Sequence, residues 1–91
     1  MTLRDNPDKR RYEALVDGEV AGSIYYHERD DGLVLVHTEV EEAFKGQGIG
    51  SKLAAATLDD IRSRGLRVQL MCPFVRAYVE RHPEYQDLIE P

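Results

Sequence analysis

The chain has no tryptophan, two phenylalanines and a single cysteine, Cys72, among its 91 residues. One thiol cannot close an internal disulfide, so cohesion must come from a packed core, and this cysteine usage fits a reducing compartment. Long apolar runs are missing too. Nothing approaches the roughly 20 residues needed to cross a bilayer, and residues 1–7 carry no apolar stretch of the secretory kind. The expectation is a cytoplasmic protein with no membrane partner. Positive charge is also in short supply: the net charge of −5 argues against the basic face that a nucleic-acid backbone demands. His27, His37 and His82 are dispersed and no cysteine pair accompanies them, so no metal is expected. Without heptads or repeats, the default state is a monomer.

What is present reads as one small globular domain. A hydrophobic fraction of 42% supports a modest core in a chain of this length. Residues 1–10 are polar, contain Pro7 and are expected to form a flexible arm, leaving residues 11–91 as the domain. From Arg11 to Val16 the letters alternate. Asp17-Gly18 supplies a turn capable of positive φ before a second run, Glu19 to His27, which predicts a hairpin. Within that run Tyr25 and Tyr26 must face opposite ways, one toward the core and one toward the surface. Asp30-Asp31-Gly32 makes a further turn into Leu33 to Val40, a β-branched and largely apolar strand. Ser51 to Arg64 places Leu53, Ala54, Thr57, Leu58 and Ile61 on one helical stripe, with Gly65 as the C-cap. Leu66 to Cys72 alternates again, so strand, helix, strand predicts a right-handed crossover and a parallel pairing. Pro73 ends that strand. Phe74 to His82 reads as a short helix with Phe74, Ala77 and Tyr78 on its packed side. The fold class is α/β with a mixed sheet, in the order β-β-β-α-β-α.

The most informative segment is Val40-Glu41-Glu42-Ala43-Phe44-Lys45-Gly46-Gln47-Gly48-Ile49-Gly50-Ser51, at the passage from strand to helix. Alternate glycines leave backbone N–H groups uncovered where a helix begins, which is a cradle for phosphate. The letters exclude the two commonest nucleotide loops. Gly46 and Gly50 are too close for a Walker loop, and Lys52 follows Ser51 rather than preceding it. A dinucleotide fingerprint would need a third glycine where Ile49 or Leu53 stands. Basic residues recur around the segment, as Lys45, Lys52, Arg62, Arg64 and Arg76.

A basic residue, two spacers, Gly, spacer, Gly, five residues after Val40, resembles motif A of the GNAT superfamily of N-acetyltransferases. The resemblance covers about residues 11–82. It also rests on His37-Thr38-Glu39-Val40, on Cys72-Pro73-Phe74-Val75 and on His82-Pro83-Glu84-Tyr85, as in the short single-domain members. Lys45 stands where those proteins usually have Gln or Arg. The two early helices of larger relatives and their final strands are missing, which implies a shallow, open acceptor site. The resemblance implies acetyl-CoA as cosubstrate, its pyrophosphate on the amides of Lys45, Gly46, Gln47, Gly48, Ile49, Gly50 and Ser51. Gly48 and Gly50 would be glycine so that no Cβ obstructs the oxygens. The pantetheine arm would lie against Val40 between two diverging strands, and an amine, either a small molecule or a protein lysine or N-terminus, would be the acceptor.

Acetyl transfer needs a base for the amine proton, a donor for the oxyanion and an acid for the leaving thiolate. His37 and Glu39 are the candidate bases, two residues apart and on one strand face if no bulge intervenes. Tyr78 is the candidate acid on the resemblance. Cys72, at the end of the fourth expected strand, is either an acetyl carrier or a small buried hydrophobe. The rival function is a module that binds acyl-CoA or a protein partner without turnover.

Overall fold

The computed structural model describes residues 1–90. Five strands form one sheet in the order β1-β2-β3-β4-β5: β1 (Thr2–Asn6), β2 (Arg11–Val16), β3 (Glu19–Glu28), β4 (Gly32–Val40) and β5 (Arg67–Leu70). The first three pairings are antiparallel and β4–β5 is parallel, joined through helix α1 (Ile49–Ser63). Helix α2 (Pro73–Arg81) and a 3₁₀ turn at Pro83–Leu88 complete the chain. Asp17 (φ 51°) and Gly18 (φ 80°) both take the left-handed conformation that a two-residue hairpin requires. Gly65 (φ 70°) closes α1: its N–H donates to Arg62 O, and the N–H of Leu66 donates to Ile61 O at 3.2 Å.

Residues 2–6, expected in a flexible arm, instead form edge strand β1. Leu3 is the one large apolar residue in it, so the sequence carries no strong strand signal. Cross-strand polar contacts hold it: Arg4 reaches Glu13, and Asp5 accepts from the Tyr26 hydroxyl. In α2 the packed side is Val75, Tyr78 and Val79, not Phe74 and Ala77. Spacings of three and four from Val75 turn Phe74 outward, where it is 39% exposed.

The core cluster packs on one face of the sheet. Tyr12, Ile24, Tyr26 and Leu35 meet Leu53, Leu58 and Ile61 of α1 and Val75 and Val79 of α2. Tyr26 is the core tyrosine, and Tyr25 points to the opposite, helix-free face. Pairing slips once between β3 and β4: Tyr25 opposes His37 and Tyr26 opposes Leu35, so Val36 is an extra residue. This bulge reverses the phase of β4. Leu33 and Leu35 face the core. Without the bulge His37 and Glu39 would follow them there; with it they emerge on the helix-free face, and Thr38 and Val40 turn to the helical side.

One core polar group stands alone. Thr57 is fully buried in α1, and its hydroxyl has no hydrogen-bond partner among the described residues. Replacing it with the isosteric valine removes an unpaired dipole from an apolar site. Thr57→Val is expected to raise stability by about 1 kcal/mol, or roughly 4–8 °C in the thermal midpoint. A midpoint below that of the unaltered chain would show that the hydroxyl is satisfied.

Candidate functional site

The glycine segment forms a left-handed entry to α1. Gly46 (φ 82°) and Gly48 (φ 75°) hold conformations a side chain resists, and Gly48 is the N-cap residue. The amide N–H groups of Gly46, Gln47, Gly48, Ile49, Gly50 and Ser51 have no acceptor among the described residues; the first bond of the turn is Lys52 N–H to Gly48 O. No side chain caps the helix and its first turn holds no acidic residue. Six open donors thus lie at the end of the helix where the dipole is positive. All but Gln47 border a groove of about 240 Å³ that Val40, Phe44, Lys45 and Phe74 also line.

Gly50 has a reason to be glycine within the chain itself. A Cβ there would lie 2.8 Å from the ring of Phe74, so the residue is small to let α2 close the wall of the groove. Around Gly48 no protein atom lies within 4 Å, and its φ of 75° favours glycine. Lys45 Nζ sits 2.9 Å from Glu42. Arg62 and Arg64, counted among the nearby cations, lie at the other end of α1, bound to Asp87 and to Asp5 and Tyr12.

Beside this groove the sheet opens. β5 pairs with β4 only from Gly32 to Leu35. The amides of Met71 and Cys72 both donate to Leu35 O, at 2.9 and 3.1 Å, and the chain then turns away into α2. From Val36 to Val40, β4 therefore has no strand on that side. Cys72 is buried at the divergence, its Sγ 3.1 Å from the hydroxyl of Thr38.

The other face of β4 carries a separate polar assembly. His37 Nε2 is 3.1 Å from Glu39 Oε1, and the Tyr25 ring stacks on the imidazole at 5.9 Å. Tyr25 donates a long hydrogen bond, 3.4 Å, to Glu39 Oε2 and receives one of 2.9 Å from Arg11. Arg11 in turn donates to Glu13, which is fully buried and also accepts from Arg4 and Asn6. Burial opposes ionisation of Glu13, but these three donors outweigh it and hold the carboxyl below the usual range. Arg11, Glu13 and Tyr25 were not expected as site residues; the sign of the first two is the Arg11-Tyr12-Glu13 alternation, which puts two opposite charges on the face away from Tyr12.

The sequence-selected residues thus fall into groups. The loop, Gln47 apart, and Val40 share one groove, His37 and Glu39 pair on the opposite face, and Cys72 lies where the strands part. Tyr78 does not line that groove. It is stacked on His82 at 4.1 Å and tilted against Tyr85, and burial, assisted by Glu84 and Asp59, raises its pKa. Tyr85 donates to Asp59 and is pushed up to about 12, by burial first and that bond second.

Comparison with known proteins agrees with this architecture. The family described as GCN5-related N-acetyl-transferase matches residues 11–88. The protein named NATD1 from Xenopus tropicalis is 37% identical over 59 residues, 63% of this chain and 54% of its own length. NATD1 from Danio rerio is 31% identical over 93 residues, covering 96% of this chain and 84% of the relative. The chain spans about half the length of the Xenopus relative. Among solved structures, a GCN5-like protein from Staphylococcus aureus superposes with a TM-score of 0.70 over 98% of this chain and 87% of that one, at 23% identity, a likeness of fold. With a family match that runs from β2 through the final 3₁₀ turn, the chain belongs to the GCN5-related N-acetyltransferases.

Proposed function

We propose that this chain transfers an acetyl group from acetyl-CoA to an amine. The observation that carries the reading is the run of six unpaired amides from Gly46 to Ser51 at the start of α1, beside the open edge of β4. Members of the family generally use acetyl-CoA, and the residues fit it. The amides and Lys45 suit a diphosphate, and Val40, Phe44 and Phe74 suit an apolar arm.

Acetyl-CoA supplies the activated acetyl group as a thioester. In the balanced reaction an N–C bond forms, the C–S bond breaks, the amine loses a proton and the departing sulfur gains one. His37 and Glu39 hold the amine proton on the far face of β4, the Tyr25 hydroxyl keeping Glu39 in place. Direct attack is the favoured route, because Cys72 is buried with its sulfur engaged by Thr38. Tyr78 is the candidate acid on the family resemblance alone, since its ring packs on His82 and Tyr85 and does not line the glycine groove.

Titration with acetyl-CoA should move the amide resonances of residues 46–51, and thiol release should rise with pH in the presence of amines. Gly48→Ala is expected to weaken acetyl-CoA binding about tenfold, or 1.4 kcal/mol, since the left-handed turn no longer presents its donors. Gly18→Ala, strained at a similar φ but remote from the groove, should leave binding unchanged. Shifts in the loop with no thiol release across a broad amine panel would favour a non-catalytic acyl-CoA-binding module. No shift at all would remove both readings.

A further inference from the structure

The helix-free face carries a groove of about 420 Å³, larger than the one at the glycine loop. Tyr25, Tyr26 and Val36 contribute its walls, and its polar groups come from three places: Lys9 and Arg10 from the β1–β2 turn, His27 from β3, and His37 and Glu39 from β4. Neither Lys9 nor Arg10 has a carboxylate within ion-pair distance among the described residues. Arg10 also sits at φ 53°, a conformation costly for a residue with a Cβ. It is fixed there by Arg10 N–H to Pro7 O at 3.1 Å and by Tyr26 N–H to Arg10 O at 2.9 Å. The backbone is thus held in an unfavourable state that brings a second cation to the groove.

We propose that this groove is the acceptor subsite and that it selects primary amines whose carboxylate can reach up to about 10 Å from the nitrogen, beyond the span of an α-amino acid's own carboxylate, the distance set by two interstrand spacings between the backbones of β2 and β4. The inference rests on the transferase reading above and names its substrate class. The amine lies at Glu39 and His37, where its proton is removed; the carboxylate meets Lys9 and Arg10; Tyr25 and Val36 cover the aliphatic segment between. An acceptor with a single charge satisfies one end and leaves the other set of charges unanswered. No helix covers this face, so the β1–β2 turn takes over the specificity role. The same chemistry comes from two sources, a free ω-amino acid or a peptide with an acidic residue shortly after its N-terminus.

The test compares ω-amino carboxylates of two to eight carbons with their neutral carboxamides, and short peptides carrying Asp or Glu at the second or third position with the Asn and Gln equivalents. In thiol-release assays with acetyl-CoA, the longer amino carboxylates, the acidic peptides, or both should exceed their neutral partners at least tenfold in kcat/KM. Glycine, too short to reach both ends, should show no such gain. In the Lys9→Glu/Arg10→Glu double variant, checked for folding by its amide spectrum, the ratio should fall to one or below. Equal rates for acid and amide at every length and in the peptides would overturn the proposal. The subsite is also read without turnover: the eight-carbon amino carboxylate should shift the amides of Tyr25, Val36 and His37 at concentrations where its carboxamide does not. If that difference is found with no acetylation of any amine, the subsite stands and the transferase reading fails; equal shifts sink the subsite alone.

Discussion

Gly32→Ala is expected to lower the thermal midpoint by roughly 12–24 °C, corresponding to a loss of about 3 kcal/mol. A Cβ at this position would lie 2.0 Å from the carbonyl oxygen of Arg67 and 2.7 Å from its carbonyl carbon, both backbone atoms. A flexible side chain could step aside; a paired strand cannot. Gly32 and Arg67 are the first register pair of β4 with β5, so the methyl group pries the parallel pairing open at its start. The whole pairing has four such positions, and the divergence of the two strands at Leu35 is defined by it. Total stabilities of domains this size are about 5–14 kcal/mol, so the loss is a large share. Gly18→Ala is the control: its φ of 80° penalises a side chain, but a Cβ there meets nothing within 4 Å. It should lose only about 1 kcal/mol. A Gly32→Ala midpoint no lower than that of Gly18→Ala would mean that the strands separate freely, and the fixed divergence beside the glycine groove would go with it.

The two glycines also mark how far the letters reach. Asp30-Asp31-Gly32 is legible as a turn because such residues punctuate strands, but the approach of Arg67 comes from 35 residues downstream and leaves no local trace. The same division recurs elsewhere. The hairpin at Asp17-Gly18, the stripe of α1 and the parallel crossover are local or periodic, and the structure has them within a few residues of the expected bounds. β1 escaped because polar cross-strand contacts, which have no period, hold it. The Val36 bulge escaped for a related reason: an apolar run reads the same whether or not its phase reverses. Yet that reversal decides that His37 and Glu39 leave the core face. In the glycine loop the letters identified the strand-to-helix turn and its uncovered amides, whereas the contact of Gly50 depends on Phe74, a residue on another helix. The assembly from Glu13 to His37 spans three strands, so only the register brings it into view.

That assembly makes Glu13→Gln the second large effect, expected to cost about 2–4 kcal/mol. Glu13 is fully buried, and its two oxygens accept from Arg4, Asn6 and Arg11. The amide keeps the volume but loses the charge and half the acceptor capacity. Arg11, whose side chain is 16% exposed, is left charged without its partner; Arg4, at 52%, can return to water. Arg4→Met should therefore cost less than Glu13→Gln. The pH dependence carries a definite sign. The folded carboxyl is more acidic than an ordinary glutamate, so its contribution is complete above the unfolded value of about 4.3 and is lost as pH falls through the folded one. Urea midpoints measured from about pH 6 down to pH 2 should decline steeply in the unaltered chain and less so in Glu13→Gln. Asp87, drawn down by its hydrogen bond to Arg62, keeps part of the slope in both. The damage should also spread across the sheet, since Arg11 is what holds the Tyr25 hydroxyl and Tyr25 is what holds Glu39. Acetyl transfer should fall further in Glu13→Gln than the folded fraction explains, and in Tyr25→Phe it should fall without a comparable loss of stability. If Glu13→Gln retains both its midpoint and its acid slope, the buried carboxylate is not the anchor of that face, and the placement of His37 and Glu39 must come from β4 alone.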